Sequence, residues 1–200
     1  MQNFDYICRK ARPDDDISAI ARYIYLTDPY IYPTICKEPD NEDWLCFICQ
    51  CIKTPHNVYG LDNISVVEHH GEIVGIACVV GCGKKLSITD GVNVPKDLKA
   101  GLDVAVQGYF VPLIEESLEL DGTNVVNVCV DGEHRGKGVG SLLMAYIVGE
   151  YGKDTMHLDV IASNDVAIRT YERHGFSVTR DYFGFSGDEM PLLCYHMIRK

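Results

Sequence analysis

Apolar positions along the chain alternate between strand-like runs and helical spacings, and the changes mark the elements. Phe4 to Arg9 reads as a first strand. Pro13-Asp14-Asp15-Asp16 opens a helix with acids in its first turn, where the helix dipole favours them. Ile17, Ile20, Ala21 and Ile24 form its buried stripe. Tyr23 to Pro33 carries four tyrosines and ends at a proline-rich break, and a second helix spans about Asn41 to Lys53. Ile64–Glu68 and Ile73–Val80 are apolar runs joined by His69-His70-Gly71-Glu72, a hairpin signature. Gly81 to Gly108 is irregular and reads as a long connection or inserted arm, and Phe110 to Leu120 looks helical. Asn124 to Val130 is nearly continuous in β-branched residues, which predicts a central strand buried on both faces. Val139, Leu142, Leu143, Tyr146 and Ile147 then fit one helix face. His157–Ile161 is a further strand. Ser163-Asn164-Asp165 caps a helix that runs to His174 and ends at Gly175. Phe176–Arg180 and Leu192–Ile198 form a last hairpin around a Gly- and Asp-rich loop. The order predicts an α/β fold: a mixed sheet with helices on both faces.

Composition narrows the function classes. The 200 residues are 46% hydrophobic and carry a net charge of −11, enough apolar surface for a folded core. The acidity argues against nucleic acid or an acidic membrane as partner, and no stretch approaches a membrane span. Nine cysteines is an odd number in a chain longer than disulfide mini-scaffolds, and Met1–Lys10 lacks a signal-peptide run, so a cytoplasmic location with reduced thiols is expected. Cys46, Cys49 and Cys51 cluster, but no second Cys/His pair stands at zinc spacing, and Leu45, Ile48, Cys49 and Ile52 recur as helix core; no metal is expected.

The chemistry concentrates where Val128-Cys129-Val130 runs through Asp131-Gly132-Glu133-His134 into Arg135-Gly136-Lys137-Gly138-Val139-Gly140-Ser141 and an amphipathic helix. Glycines allow close backbone approach, and first-turn N–H groups with the helix dipole point at one spot. With Arg135 and Lys137, the loop suits a phosphate or pyrophosphate. It fails the P-loop pattern because Gly138 follows Lys137, and fails the strict dinucleotide pattern because Ser141 falls where the last glycine should be.

What stands is Arg-x-x-Gly-x-Gly, Arg135 to Gly140, and it resembles motif A of the GNAT superfamily of N-acetyltransferases. Downstream, Asn164, Ala167, Tyr171-Glu172 and Gly175-Phe176 resemble that family's second motif, and the element order matches too. The resemblance implies one GNAT-like acetyltransferase domain over residues 1–200, with the inserted connection at about 81–108. It implies a mixed, mostly antiparallel sheet, and acetyl-CoA as cosubstrate. Tyr171 would then be the catalytic acid that protonates the departing thiolate. Val128, Cys129 and Val130 would hold the pantetheine arm as an added strand, with a backbone N–H polarising the thioester carbonyl. Arg135, Gly136, Lys137, Gly138, Val139, Gly140 and Ser141 would take the pyrophosphate. Asn164 and Ala167 complete the cofactor set, although helix capping alone also accounts for Asn164.

The general base stays open. The position where some family members carry a glutamate corresponds to Asn124, which cannot act as one. Asp131 and Glu133 stand beside the phosphate loop, and a water chain or a carboxylate from the first helices, Asp28, Glu42 or Asp43, is the alternative. Acceptor specificity falls on the first helices. There Asp28, Tyr30 and Tyr32 combine acid and aromatic groups suited to an amine, or equally to ordinary packing. The leading reading is acetyl transfer to a primary amine of a small molecule or protein. Its alternative is a non-catalytic acyl-CoA-binding module. The amine, the acyl length and the oligomeric state, a homodimer included, are left open.

Overall fold

The computed structural model describes residues 5–28, 31–36, 41–82, 88–89, 91–105, 120–186 and 189–200. The expected helix at Phe110 to Leu120 therefore lies almost wholly outside the described residues, as does Tyr30. The elements are β1 (Tyr6–Lys10), α1 (Ile17–Leu26), α2 (Ile31–Ile35), α3 (Glu42–Lys53), β2 (Ile64–His69), β3 (Glu72–Gly81), α4 (Lys96–Ala105), β4 (Thr123–Val130), α5 (Val139–Tyr151), β5 (Met156–Ile161), α6 (Asp165–Arg173), β6 (Ser177–Ser186) and β7 (Glu189–Arg199).

Seven strands form one sheet in the order β1-β2-β3-β4-β5-β7-β6. Every neighbouring pair is antiparallel except β4 and β5. One face is covered by α1, α2, α3 and α4, around Ile24, Trp44, Phe47, Ile64, Ile76 and Leu102. The other is covered by α5, whose Val139, Leu143, Met144 and Ile147 meet Val67, Val125, Leu158 and Met197. Trp44 is fully buried and touches Tyr25, Tyr32 and Phe47, which knits the first three helices together. Each such aromatic burial contributes about 1.5–3 kcal/mol.

Several expectations shift in detail. The acids before α1 precede the helix rather than forming its first turn: Asp16 is the N-cap, accepting the Ala19 N–H, and Asp15 turns to Arg9 at 2.6 Å. The turn between β2 and β3 places His70 and Gly71 at positive φ, as a two-residue hairpin requires. The stretch expected as irregular contains α4, whose Leu98 and Leu102 enter the core. The last hairpin is longer than expected, because the Gly- and Asp-rich stretch largely continues as strand. In α5, Met144 is buried and Leu142 is 41% exposed.

The instructive difference is β4. It sits mid-sheet, but its burial alternates instead of covering both faces; β3 is the strand buried on both. Against β3, β4 has a register shift: Cys78 pairs with Asn127, and Val79 already with Val125. The extra residue, Val126, bulges out and is 37% exposed. On its other side β4 pairs with β5 only from Thr123↔Met156 to Val125↔Leu158. Past that point the strands part and leave a cleft.

Candidate active site

The cleft has a volume of about 790 Å³. Its walls are Asn124 to Val130 on β4, Asp159 to Ile161 on β5, the loop into α5, and one face of α6. The free side of β4 beyond Val125 offers main-chain groups with no β5 partner. An extended ligand can therefore add to it as a strand.

The loop is built for close approach. Asp131 accepts the Glu133 N–H at 2.8 Å, which holds a short 3-10 turn over Gly132–His134. Arg135 folds back, its Nε donating to the Val130 carbonyl at 3.0 Å. Gly136 and Gly138 adopt left-handed φ of 73° and 85°, and a Cβ on either would meet nothing within 4 Å. Gly138 is the N-cap of α5 and has no side chain to occupy the first-turn N–H groups. The dipole's positive end thus opens onto empty space at the cleft mouth.

Most of the expected cofactor residues meet here. Val128, Cys129, Val130, Arg135, Gly136, Gly138, Val139, Gly140, Ser141, Asn164 and Ala167 all line the cleft. Lys137 does not line it. Desolvation, then the His70, His134 and Lys137 charges, hold His69 below the usual imidazole range. Ser141 Oγ is 2.9 Å from His174 Nε2, and burial pushes His174 below the usual imidazole range. Asn164 does cap α6, accepting the Ala167 N–H at 3.2 Å, and lines the cleft as well. Burial pushes the Cys129 thiol up to about 11, so it stays neutral.

Tyr171 reaches the cleft from α6 while its ring packs on Phe176, 6.2 Å between centroids. Packing and exposure to the cleft are thus compatible. Desolvation raises the phenol to about 12, so Tyr171 keeps its proton at neutral pH.

The opposite wall is polar and ordered. Asn127 Nδ2 donates to Thr27 Oγ1 at 2.6 Å and to Tyr32 Oη at 3.2 Å, and Tyr32 Oη lies 2.5 Å from Tyr59 Oη. Tyr32 is 3% exposed, so it is floor as well as lining. Asp28 also lines the cleft. Glu42 and Asp43 are exposed in the first turn of α3 and do not line it. Asp131 is engaged by Glu133 and by Tyr23, and neither Asp131 nor Glu133 lines it. Asn124 does, and its buried Oδ1 has no hydrogen-bond partner among the described residues.

A carboxylate not singled out by the sequence stands in the cleft instead. Asp159 is on β5, just past the last residue paired with β4, and its Oδ1 is 3.0 Å from His196 Nδ1 on β7. A signal existed: His157 and Asp159 alternate with Leu158 and Val160 in an otherwise apolar strand, two titratable groups on one face. Among the described residues no cluster of three or more His, Cys, Asp or Glu could hold a metal. Cys46 is exposed on α3, whereas Cys51 is buried and donates to the Ile88 carbonyl. No described helix is long and apolar enough to cross a membrane.

A splayed β4–β5 pair above a glycine-rich helix start defines a class. The acetyltransferase (GNAT) family model matches residues 22–176, and the chain belongs to that family. Family members transfer acetyl groups from acetyl-CoA. Among relatives, the [ribosomal protein bS18]-alanine N-acetyltransferase of Escherichia coli K12 is 34% identical over 70 residues, 32% of this chain and 47% of the relative. The chain thus spans about half the length of the curated relatives it matches. Among solved structures, an N-acetyltransferase from Staphylococcus aureus Mu50 superposes with a TM-score of 0.75 at 17% identity, covering 96% of this chain and 99% of that one. Arabidopsis thaliana Naa50, solved with the bisubstrate analogue CoA-Ac-MVNAL, gives 0.58 at 14% identity, with 98% of each chain covered. These likenesses establish the fold.

Proposed function

We propose that this chain is an acetyl-CoA-dependent N-acetyltransferase acting on a primary amine of a small molecule or a protein. One observation carries the reading: the parted β4–β5 pair opens a cleft that joins an anion-ready helix start to a protonated phenol and a carboxylate. The residues 1–200 act as one catalytic domain in this reading. The composition, acidic and cysteine-rich, supports a cytoplasmic setting and a partner other than nucleic acid.

The roles follow from the chemistry. N–H groups at Gly138–Ser141 and the Arg135 charge hold the pyrophosphate. Val126–Val130 take the pantetheine arm along the free edge of β4, and a main-chain N–H there polarises the thioester carbonyl. Asp159 receives the amine's proton. The amine nitrogen attacks the carbonyl carbon, the carbon–sulfur bond breaks, Tyr171 protonates the departing sulfur, and the second proton that the nitrogen loses on becoming an amide restores the Tyr171 phenol. Asp28 and Tyr32, across the cleft, form the acceptor side. The alternative, an acyl-CoA sensor without turnover, has its best support in the lack of a base evident in the sequence, and a carboxylate at Asp159 counts against it.

Steady-state turnover across a panel of small amines and peptide N-termini tests the proposal. Acetyl transfer by the wild type, with Asp159→Asn at least about 100-fold slower, is expected. Binding of acetyl-CoA without acetylation of any amine would return the reading to a sensor.

A further inference from the structure

Behind Asp159 lies a buried chain that the roles above leave unused. His196 Nδ1 is 3.0 Å from Asp159 Oδ1. His196 Nε2 is 3.4 Å from His157 Nδ1, with the two rings stacked. His157 Nε2 is 3.0 Å from the Asp121 main-chain carbonyl. The histidines are 3% and 5% exposed.

Counting protons along this chain gives an unequal result. A carbonyl only accepts, so His157 must donate its Nε2–H to Asp121, and neutral His157 then has a bare Nδ1. Three links need three protons, and two neutral imidazoles supply two. With Asp159 ionised, one link is empty and the chain carries a charge of −1. One further proton fills every link: His196 then donates from both ring nitrogens, and the chain is neutral. In a buried place an unmade hydrogen bond costs about 1–3 kcal/mol, so the vacant link is a place where one proton from the cleft can be held.

We infer that His157 and His196 form a one-proton reservoir behind Asp159, and that the proton it takes up is the one the acceptor ammonium must lose before its nitrogen can attack. This rests on the catalytic reading above. The step balances. An ammonium N–H bond breaks and leaves its electron pair on nitrogen. The proton passes to the Asp159 carboxylate and on to His196 Nδ1, which is bare when His196 donates Nε2–H to His157. Ammonium with the vacant chain sums to zero charge, and so does free amine with the filled chain. No charge is created in the buried site. After product leaves, the proton returns to solvent. His157 and His196 are positioning residues; Asp159 alone meets the amine.

The neighbouring charges do not replace this device. Among the described residues Arg180 of β6 lies in register with His196 but is exposed, and Asn124 of β4 lies in register with His157 and is uncharged. Asp28 lines the cleft, and the Asp121 side chain is exposed.

Two measurements test the inference. Nitrogen-15 NMR of histidine-labelled protein without any ligand reads the vacancy directly. His157 is expected as the Nε2–H tautomer, and the one further proton the chain accepts should enter on His196 and never on His157. A further proton that enters on His157, or a His157 without Nε2–H, overturns it. This readout needs no turnover, so it fails or succeeds independently of the acetyltransferase reading. In kinetics, His196→Gln keeps a hydrogen-bond donor beside Asp159 without a titrating ring. Its kcat should fall about 10- to 100-fold at neutral pH and recover as pH rises, when the amine arrives already neutral, and it should fall less for weakly basic amines. An equal loss at every pH, or no loss, contradicts the reservoir.

Discussion

Val125 and Leu158 are the last residues that β4 and β5 hold in register, and the two strands part immediately beyond them. The cause is local. Val126 is an extra residue in β4 relative to β3, and its bulge turns the remainder of the strand away from β5. The cleft, the exposed edge of β4 and the placement of Asp159 all follow from this one irregularity.

Tyr171 is expected to act as an acid and not as packing alone. Tyr171→Phe keeps the ring against Phe176. It should lower kcat about 100-fold or more while leaving the dissociation constant for acetyl-CoA and the melting temperature nearly unchanged. Because burial raises this phenol to about 12, wild-type activity should not decline from Tyr171 ionisation below pH 10. Unchanged kcat in the Phe variant would remove Tyr171 from the chemistry.

The polar floor of the cleft is expected to be structural as well as substrate-facing. Asn127→Ala removes the donor to Thr27 and Tyr32. Leaving buried hydroxyls short of a partner costs about 1–3 kcal/mol, or roughly 2–12 °C in melting temperature at this chain length. The KM for the amine should rise more than the KM for acetyl-CoA. An unchanged melting temperature would show that the network adds no stability.

Acid sensitivity should report Asp15. The Arg9 guanidinium beside it, 2.6 Å away, holds its carboxyl below the usual range. A depressed folded value stabilises the fold above the unfolded carboxylate range, near pH 4, and that stabilisation disappears as pH falls through the lower folded value. Melting curves of wild type and Asp15→Asn from pH 7 to 2 should therefore differ most at pH 7, by about 1–3 kcal/mol, and converge below about pH 4. A gap that stays constant with pH contradicts the linkage.

Much of this was legible in the sequence, for identifiable reasons. The Arg135–Gly140 loop and the Asn164–Phe176 helix are local devices, in which cap, glycine and stripe lie within a few residues. Their elements fall where the spacing predicts. The hairpin at His70-Gly71 is equally local. The cleft itself is not, because it depends on the register of β4 against two different neighbours. The β-branched run from Asn124 to Val130 therefore suggested a strand buried on both faces when one face opens at Val126. Asp159 was missed for a related reason: its partner His196 lies 37 residues away along the chain, and only strand pairing joins them.

The proposed activity requires a CoA thioester with its pyrophosphate at the start of α5. Calorimetry with acetyl-CoA, CoA, NAD and ATP, on wild type and on Gly138→Asp, tests that most directly. Residue 138 has room for a side chain, so the aspartate brings a negative charge to the anion site together with a modest left-handed backbone cost. Wild type should bind acetyl-CoA and CoA alone, with a melting temperature about 5–10 °C higher at 100 times the dissociation constant. The variant should fold and lose both responses. No binding of either CoA species, or tighter binding of NAD or ATP, would contradict the account.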